Sequence, residues 1–152
     1  MAKENNTPSW PVLLALGEGL LYLTVGLIWL LSSIGVAILD MGTPDPIAAL
    51  VMMIVSVTLL AGTRPLRRNE KEGYAFLIVG LFLAGILFLL EVIIISTNLL
   101  GWILHLDGWT EWQLSSSLVP PVWLFLITIG VLGVLRVTGK TEGMWSLLPP
   151  GV

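Results

Sequence analysis

Three polar side chains, Glu91, Asn98 and His105, follow one another at intervals of seven residues in an otherwise apolar stretch. Seven residues return to the same face of an α-helix after two turns. Carboxylate, amide and imidazole are therefore expected on one stripe, in line with Ala84 and beside Gly80 and Ile95, while Leu87, Leu90, Ile93 and Ile94 fill other faces. Glu91 follows the 17 uncharged residues 74–90 and precedes the 13 uncharged residues 92–104. At a rise of about 1.5 Å per residue it stands ~26 Å along the helix from Tyr74. A carboxylate so placed can serve three ends. It can be protonated or hydrogen-bonded to Asn98 and to hydroxyls such as Ser32, Ser33, Ser56, Thr58 or Thr128, fixing helix register. It can pair with a cationic or polar group of another subunit. It can also exchange a proton or a cation, with Asn98 and His105 leading to the outer face.

Other chemistries find less support. His105 is the only histidine and cysteine is absent, so haem or zinc would need ligands from another chain, and thiolate clusters and disulfides are excluded for this one. There is no Ser, His and Asp set with a nucleophile context and no Gly-rich loop between strand and helix. Asp107 and Glu111 read as a solvated loop. No cofactor is expected, and the chain leans away from being an enzyme.

The elements that must position the stripe follow from composition. Of 152 residues, 56% are hydrophobic and only 11% charged, with a mean hydropathy of +0.95, where soluble domains carry roughly 25% charged residues. Too few charges remain to solvate a globular surface, so the chain is expected to be integral to a membrane. Apolar runs occur at Val12–Leu39, Ile47–Ala61, Tyr74–Leu104 and Leu118–Leu135. With the polar edges included, they predict spans at about 12–39, 46–62, 74–104 and 118–136, the second being the shortest. The first lacks the short core and cleavage site of a signal peptide and reads as a retained helix.

Between these runs, "DMGTPDP" at 40–46 forms a tight outer turn with Pro46 at the start of the second helix. Residues 63–73 form a cytoplasmic loop and 105–117 an outer loop whose serines can cap the fourth helix ahead of Pro120 and Pro121. Residues 137–152 form a cytoplasmic tail. Trp10, Trp102, Trp109, Trp112 and Trp145 suit interfacial belts, whereas Trp29 and Trp123 suit packing equally well.

With four spans, Lys3, Arg64, Arg67, Arg68, Lys71, Arg136 and Lys140 all fall on one side, and the two remaining loops carry only acidic charge. Positive charge prefers the cytoplasmic side, which places both termini inside, in the cytoplasmic membrane of a prokaryote. Arg64, Arg67, Arg68 and Lys71 act first as that topology signal, and secondly as a contact for anionic lipid or a partner. A net charge of −3 argues against nucleic acid.

An internal repeat relates the first and third helices. "EGLLYLTVGLI" from Glu18 aligns with "EGYAFLIVGLF" from Glu72, matching Gly19 with Gly73, Leu23 with Leu77, Val25 with Val79, Gly26 with Gly80 and Leu27 with Leu81. Such a pattern suits a parallel repeat of two helical hairpins. It also places Glu18, like Glu72, near the inner interface, where a carboxylate at a helix start is favourable, and leaves Glu91 as the sole deep carboxylate. A glutamate in a first helix resembles the small multidrug transporters, whose essential acid sits there, but the residues around Glu18 do not match that family. Gly26, Gly80 and Ala84 allow neighbouring helices to approach closely.

The expected protein is thus an all-α, four-helix transmembrane bundle. Its partners are lipid and other membrane subunits or copies of itself. The expected role is an accessory or assembly subunit, with a small proton- or cation-coupled transporter or channel using Glu91 as the alternative.

Overall fold

A computed structural model describes residues 10–36 and 43–138, and for Ser116 the backbone alone. Lys3, Asp40, Lys140, Trp145 and the tail beyond Thr138 lie outside the described residues, as does Ala37, the repeat counterpart of Glu91. Four α-helices follow in order: α1 Trp10–Ser33, α2 Pro46–Arg67, α3 Lys71–Ile103 and α4 Pro120–Val137, with a 3-10 turn at Leu114–Ser117 before α4. All four are long and apolar enough to cross a membrane.

Several boundaries differ from those read from hydropathy. α1 stops at Ser33 rather than 39, because Gly35 takes φ +93 and closes the helix, its amide donating to Ser32 and that of Val36 to the Leu31 carbonyl. α2 runs five residues past the expected 62, to Arg67, giving 22 residues or about 33 Å. Thr63–Arg67 end the apolar run without ending the helix, since arginine is a good helix former and Arg64 and Arg67 favour the last turn electrostatically. The expected loop 63–73 therefore shrinks to Arg68–Glu70. Asn69 at φ 55 and His105 at φ 53 close α2 and α3 with the same pair of hydrogen bonds that Gly35 uses. The outer serines do not cap α4; its N-cap is Val119 without a side-chain bond. With Pro120 and Pro121 in the first turn, two of the amides that a cap would satisfy do not exist.

Each of the first three helices buries a row spaced alternately by four and three residues. In α2 the row is Ala48, Met52, Val55, Leu59, Gly62 and Leu66; in α3 it is Gly73, Leu77, Gly80, Ala84, Leu87 and Glu91. The α1 row of Ala15, Gly19, Tyr22, Gly26 and Trp29 continues the pattern. This period is that of left-handed, side-by-side helix packing. Leu87 thus belongs to the buried stripe of α3 rather than to another face, whereas Leu90, Ile93 and Ile94 are exposed.

α2 lies between α1 and α3, antiparallel to both, and glycines set the separations. A Cβ at Gly19 would stand 2.8 Å from Leu60, and one at Gly26 would stand 3.2 Å from Met52 Cβ. On the other side, a Cβ at Gly80 would stand 2.5 Å from Leu59 Cδ2, and one at Gly73 the same distance from the Leu66 backbone nitrogen. The glycines matched by sequence in α1 and α3 thus press on opposite sides of one helix. α4 joins through Phe125, which packs over Gly85 and stacks on Phe88 at a centroid distance of 4.9 Å.

Among the described residues, every lysine and arginine lies at one end of the bundle, in the last turn of α2, the connection after it, the first residue of α3 or the last turn of α4, and Asp45, Asp107 and Glu111 lie at the other.

Backbone against backbone leaves no room to relax, so Gly73→Ala is expected to destabilise the bundle by about 1–3 kcal/mol. Gly17→Ala, where a Cβ meets nothing within 4 Å, should be neutral or stabilising by up to about 1 kcal/mol. Denaturation in detergent followed by helical circular dichroism checks both, and equal effects at the two positions would refute the close packing.

Candidate functional site

At the acidic end, α1 terminates while α3 continues, and the difference in length opens a cleft of about 180 Å³. Its polar lining comes from every part of the chain: Trp29 in α1, Thr43 and Asp45 before α2, Glu91 and Asn98 in α3, and Ser117 before α4. Asp45, Asn98 and Ser117 are held by hydrogen bonds. Asp45 is the N-cap of α2, its Oδ1 accepting from the Ile47 amide at 2.8 Å and the Ala48 amide at 3.3 Å. Asn98 Oδ1 accepts from Trp109 Nε1 at 3.1 Å, and the Trp109 ring lies flat on Gly101. Trp112 Nε1 donates to Ser117 Oγ at 2.9 Å. The tryptophans of the outer segment therefore fold back and pin two of the cleft's polar groups.

Glu91 is 9% exposed, and its carboxylate has no hydrogen-bond partner among the described residues. None of the hydroxyls considered for it reaches it. Ser32, Ser33 and Thr58 bond to carbonyls of their own helices. Ser56 Oγ donates to the Gly19 carbonyl at 2.7 Å, and Thr128 turns to Glu18. Asp45 lies near enough to act on Glu91 electrostatically, so two carboxyl groups share the cleft. Trp29, 1% exposed, also lines it, and its Nε1 is buried without a hydrogen-bond partner among the described residues. A buried carboxylate beside a second acid is costly unless water in the cleft, a proton or a cation offsets its charge.

The stripe expected from the spacing of seven is interrupted. Glu91 and Asn98 meet in the cleft, but His105 falls beyond the end of α3, exposed, as the left-handed residue that closes the helix. Histidine is among the residues that enter this conformation more readily than most. Gly26, Gly80 and Ala84 sit in the helix contacts, the first two against α2 and Ala84 at 2% exposure. Arg64, Arg67, Arg68 and Lys71 are exposed together at the opposite end, with one loose ion pair, Arg68–Glu70 at 3.8 Å. Among the described residues no three acidic or histidine side chains gather as a metal-ligand set.

Glu18 differs most from expectation. It is not at the inner interface but inside the bundle at 6% exposure, where Thr128 Oγ1 lies 2.8 Å from its Oε2. Thr128 is the ninth of the 18 residues of α4, hence at its middle. The repeat misplaced Glu18 because matched residues do not share a depth: Glu72 is the second residue of α3 and Glu18 the ninth of α1. Glu91 stands near the N-terminal end of α2, whereas Glu18, next to the Gly19 that packs on Leu60, stands in the other half of that helix. Neither Asp45 nor Thr43 was singled out for the site from sequence, since both belong to a turn that only folding brings over α3.

A family model described as the MJ0565 integral membrane domain matches residues 11–137. The chain belongs to that family. The matched region takes in all four helices but for the first residue of α1, so both buried glutamates fall within the family's domain. No curated protein and no solved structure matches the chain.

The cap and the charge of Asp45 can be separated. Asp45→Ala should cost about 1 kcal/mol of stability through the lost cap, and Asp45→Asn, which still caps, only a few tenths. Chemical unfolding in detergent measures the pair, and equal losses would contradict a capping role.

Proposed function

We propose that this multi-pass membrane protein acts as a small carrier or channel that takes a proton or a small cation into the acidic cleft at Glu91. The observation that supports this reading is the buried Glu91 carboxylate, unpaired among the described residues and facing a polar cleft shared with Asp45. A group placed only to fix helix register would satisfy itself on neighbouring helices, as Ser56 does at Gly19. Lining oxygens from Asp45, Asn98 and Ser117 suit a hydrated cation or a protonated water chain.

An accessory or assembly subunit is the second reading, in which a cationic side chain of a partner enters the same cleft. Gly130 and Gly133 on α4 favour it, because a Cβ at either would meet nothing within 4 Å and small outward residues admit another helix.

Purified protein in proteoliposomes under an imposed potential should pass protons, read by a trapped pH dye, or sodium, read by isotope uptake. Glu91→Gln should cut that flux roughly tenfold or more while circular dichroism stays unchanged. Flux that survives Glu91→Gln would sink the carrier reading. A wild type that is silent, but loses a co-purifying membrane protein on the same substitution, would establish the assembly reading instead.

The separation of basic and acidic ends supports an orientation with the α2–α3 connection and both termini in the cytoplasm. The chain has no cysteine, so single cysteines report topology cleanly. Arg68→Cys should be labelled by an impermeant maleimide only in inverted vesicles, and Asp107→Cys only in intact cells; the reverse pattern would invert the topology.

A further inference from the structure

The Glu91 cleft leaves a second buried acid without a role. Glu18 and Thr128 are 6% and 1% exposed, come from α1 and α4, and meet at mid-bundle. The Thr128 hydroxyl oxygen lies 2.8 Å from Glu18 Oε2 and 3.1 Å from the Leu124 carbonyl, yet a hydroxyl owns a single hydrogen. With Glu18 ionised, that hydrogen must go to the carboxylate and the carbonyl loses it. With Glu18 protonated, the acid O–H donates to Thr128 and the threonine hydrogen serves Leu124. The two arrangements differ by one proton and a rotation of one hydroxyl.

Tyr22 and Trp29 extend this pair toward the cleft. Glu18, Tyr22 and Trp29 are spaced by four and seven residues on one face of α1. Tyr22, one turn from Glu18 on that face, is 1% exposed, and its hydroxyl is buried without a hydrogen-bond partner among the described residues. Trp29 Nε1, equally buried and without a partner among the described residues, borders the cleft that holds Glu91. Buried polar atoms without protein partners recruit water. Between the two, about 10 Å of α1 surface carries Gly26, closed over by Met52. Such an apolar interval wets intermittently and can gate conduction.

We propose that Glu18, with Thr128 and Tyr22, is a second proton-carrying station, joined along the Tyr22–Trp29 face of α1 to the cleft at Glu91, so that protons cross the bundle between two carboxyl groups. The proposal rests on the reading of Glu91 as an exchanging group and names the proton as what it exchanges. One proton enters at Glu91, passes along transient water to Glu18 and leaves toward the opposite end; no electron moves. The groups that face Glu18 are Tyr22 on α1 and Thr128 on α4, with the Ser56 hydroxyl of α2 beside it on the Gly19 carbonyl. Those facing Glu91 are Asp45, Asn98, Ser117 and Trp29.

The test uses the full chain in proteoliposomes, with a potassium diffusion potential and a trapped pH dye. Glu18→Gln, which keeps an oxygen for Thr128, and Glu91→Gln should each lower proton flux roughly tenfold or more, Tyr22→Phe severalfold, and the exposed Glu72→Gln not at all. Flux abolished by Glu91→Gln but unchanged in Glu18→Gln and Tyr22→Phe would overturn the inner station and leave the cleft standing. Flux lost in Glu18→Gln but kept in Glu91→Gln would overturn the connected path and the cleft reading together, whereas a wild type that passes sodium but no protons would overturn the inner station and leave the cleft standing. A fold-independent readout accompanies this. The infrared carbonyl stretch of a protonated carboxylic acid should disappear in Glu18→Gln and shift in Thr128→Val. A spectrum that Thr128→Val leaves unmoved would refute the hydroxyl's part.

Discussion

The bundle depends on the close approach of α1 and α3 to the two sides of α2. Lipid offers no hydrophobic drive for helices to associate, so contact area and backbone proximity must supply the attraction. Gly19 and Gly26 on one side, and Gly73 and Gly80 on the other, remove the side chains that would hold the helices apart. Gly62 of α2 returns the favour, a Cβ there standing 2.8 Å from Phe76 Cβ. The same proximity lets Ser56 reach across to the Gly19 carbonyl.

Much else follows from that three-helix slab. Because α1 stops at Ser33 and α2 starts only at Pro46, the slab is shorter than the 33-residue α3 at the acidic end. The uncovered flank of α3 there carries Glu91 and Asn98. Thr43 and Asp45 just before α2, and Ser117 just before α4, complete the lining of the cleft. The cleft is thus a consequence of unequal helix lengths, with tryptophan–amide and tryptophan–hydroxyl bonds holding its rim. α4 leans on the slab through Phe125 and through the Glu18–Thr128 bond, a polar tie between helices.

A single period of alternating four and three residues links packing to chemistry. In α3 it runs from Gly73 to Leu87 in small and apolar residues and then meets Glu91, so the acid occupies a packing position. In α1 it carries Tyr22 and Trp29, whose bulk fills the core while their polar tips find no partner among the described residues. Glu18 lies one residue off that row, toward α4. Satisfied polar groups, as at Ser56, lock a bundle; unsatisfied ones on a continuous face leave work for water or protons to do.

Composition and hydropathy alone determined that four apolar helices cross a membrane, because a chain so poor in charge cannot be solvated any other way. They also singled out Glu91 within an apolar run, Asn98 on its side of α3, and the glycines that let helices touch. Helix ends were less legible, since Gly35, Asn69 and His105 terminate helices by backbone conformation while hydropathy reports only where the chain leaves oil. His105 seemed to continue the polar stripe for that reason, though α3 closes just before it. The depth of Glu18 was not legible at all. Sequence similarity to Glu72 compares neighbours along the chain, whereas burial is decided by which residue of another helix lies opposite, and Thr128 is 110 positions away. Only tertiary packing could bring Asp45 over Glu91 and Thr128 onto Glu18, because both pairings join helices whose relative register is set by side-chain volume at the contacts and not by the order of residues within either helix.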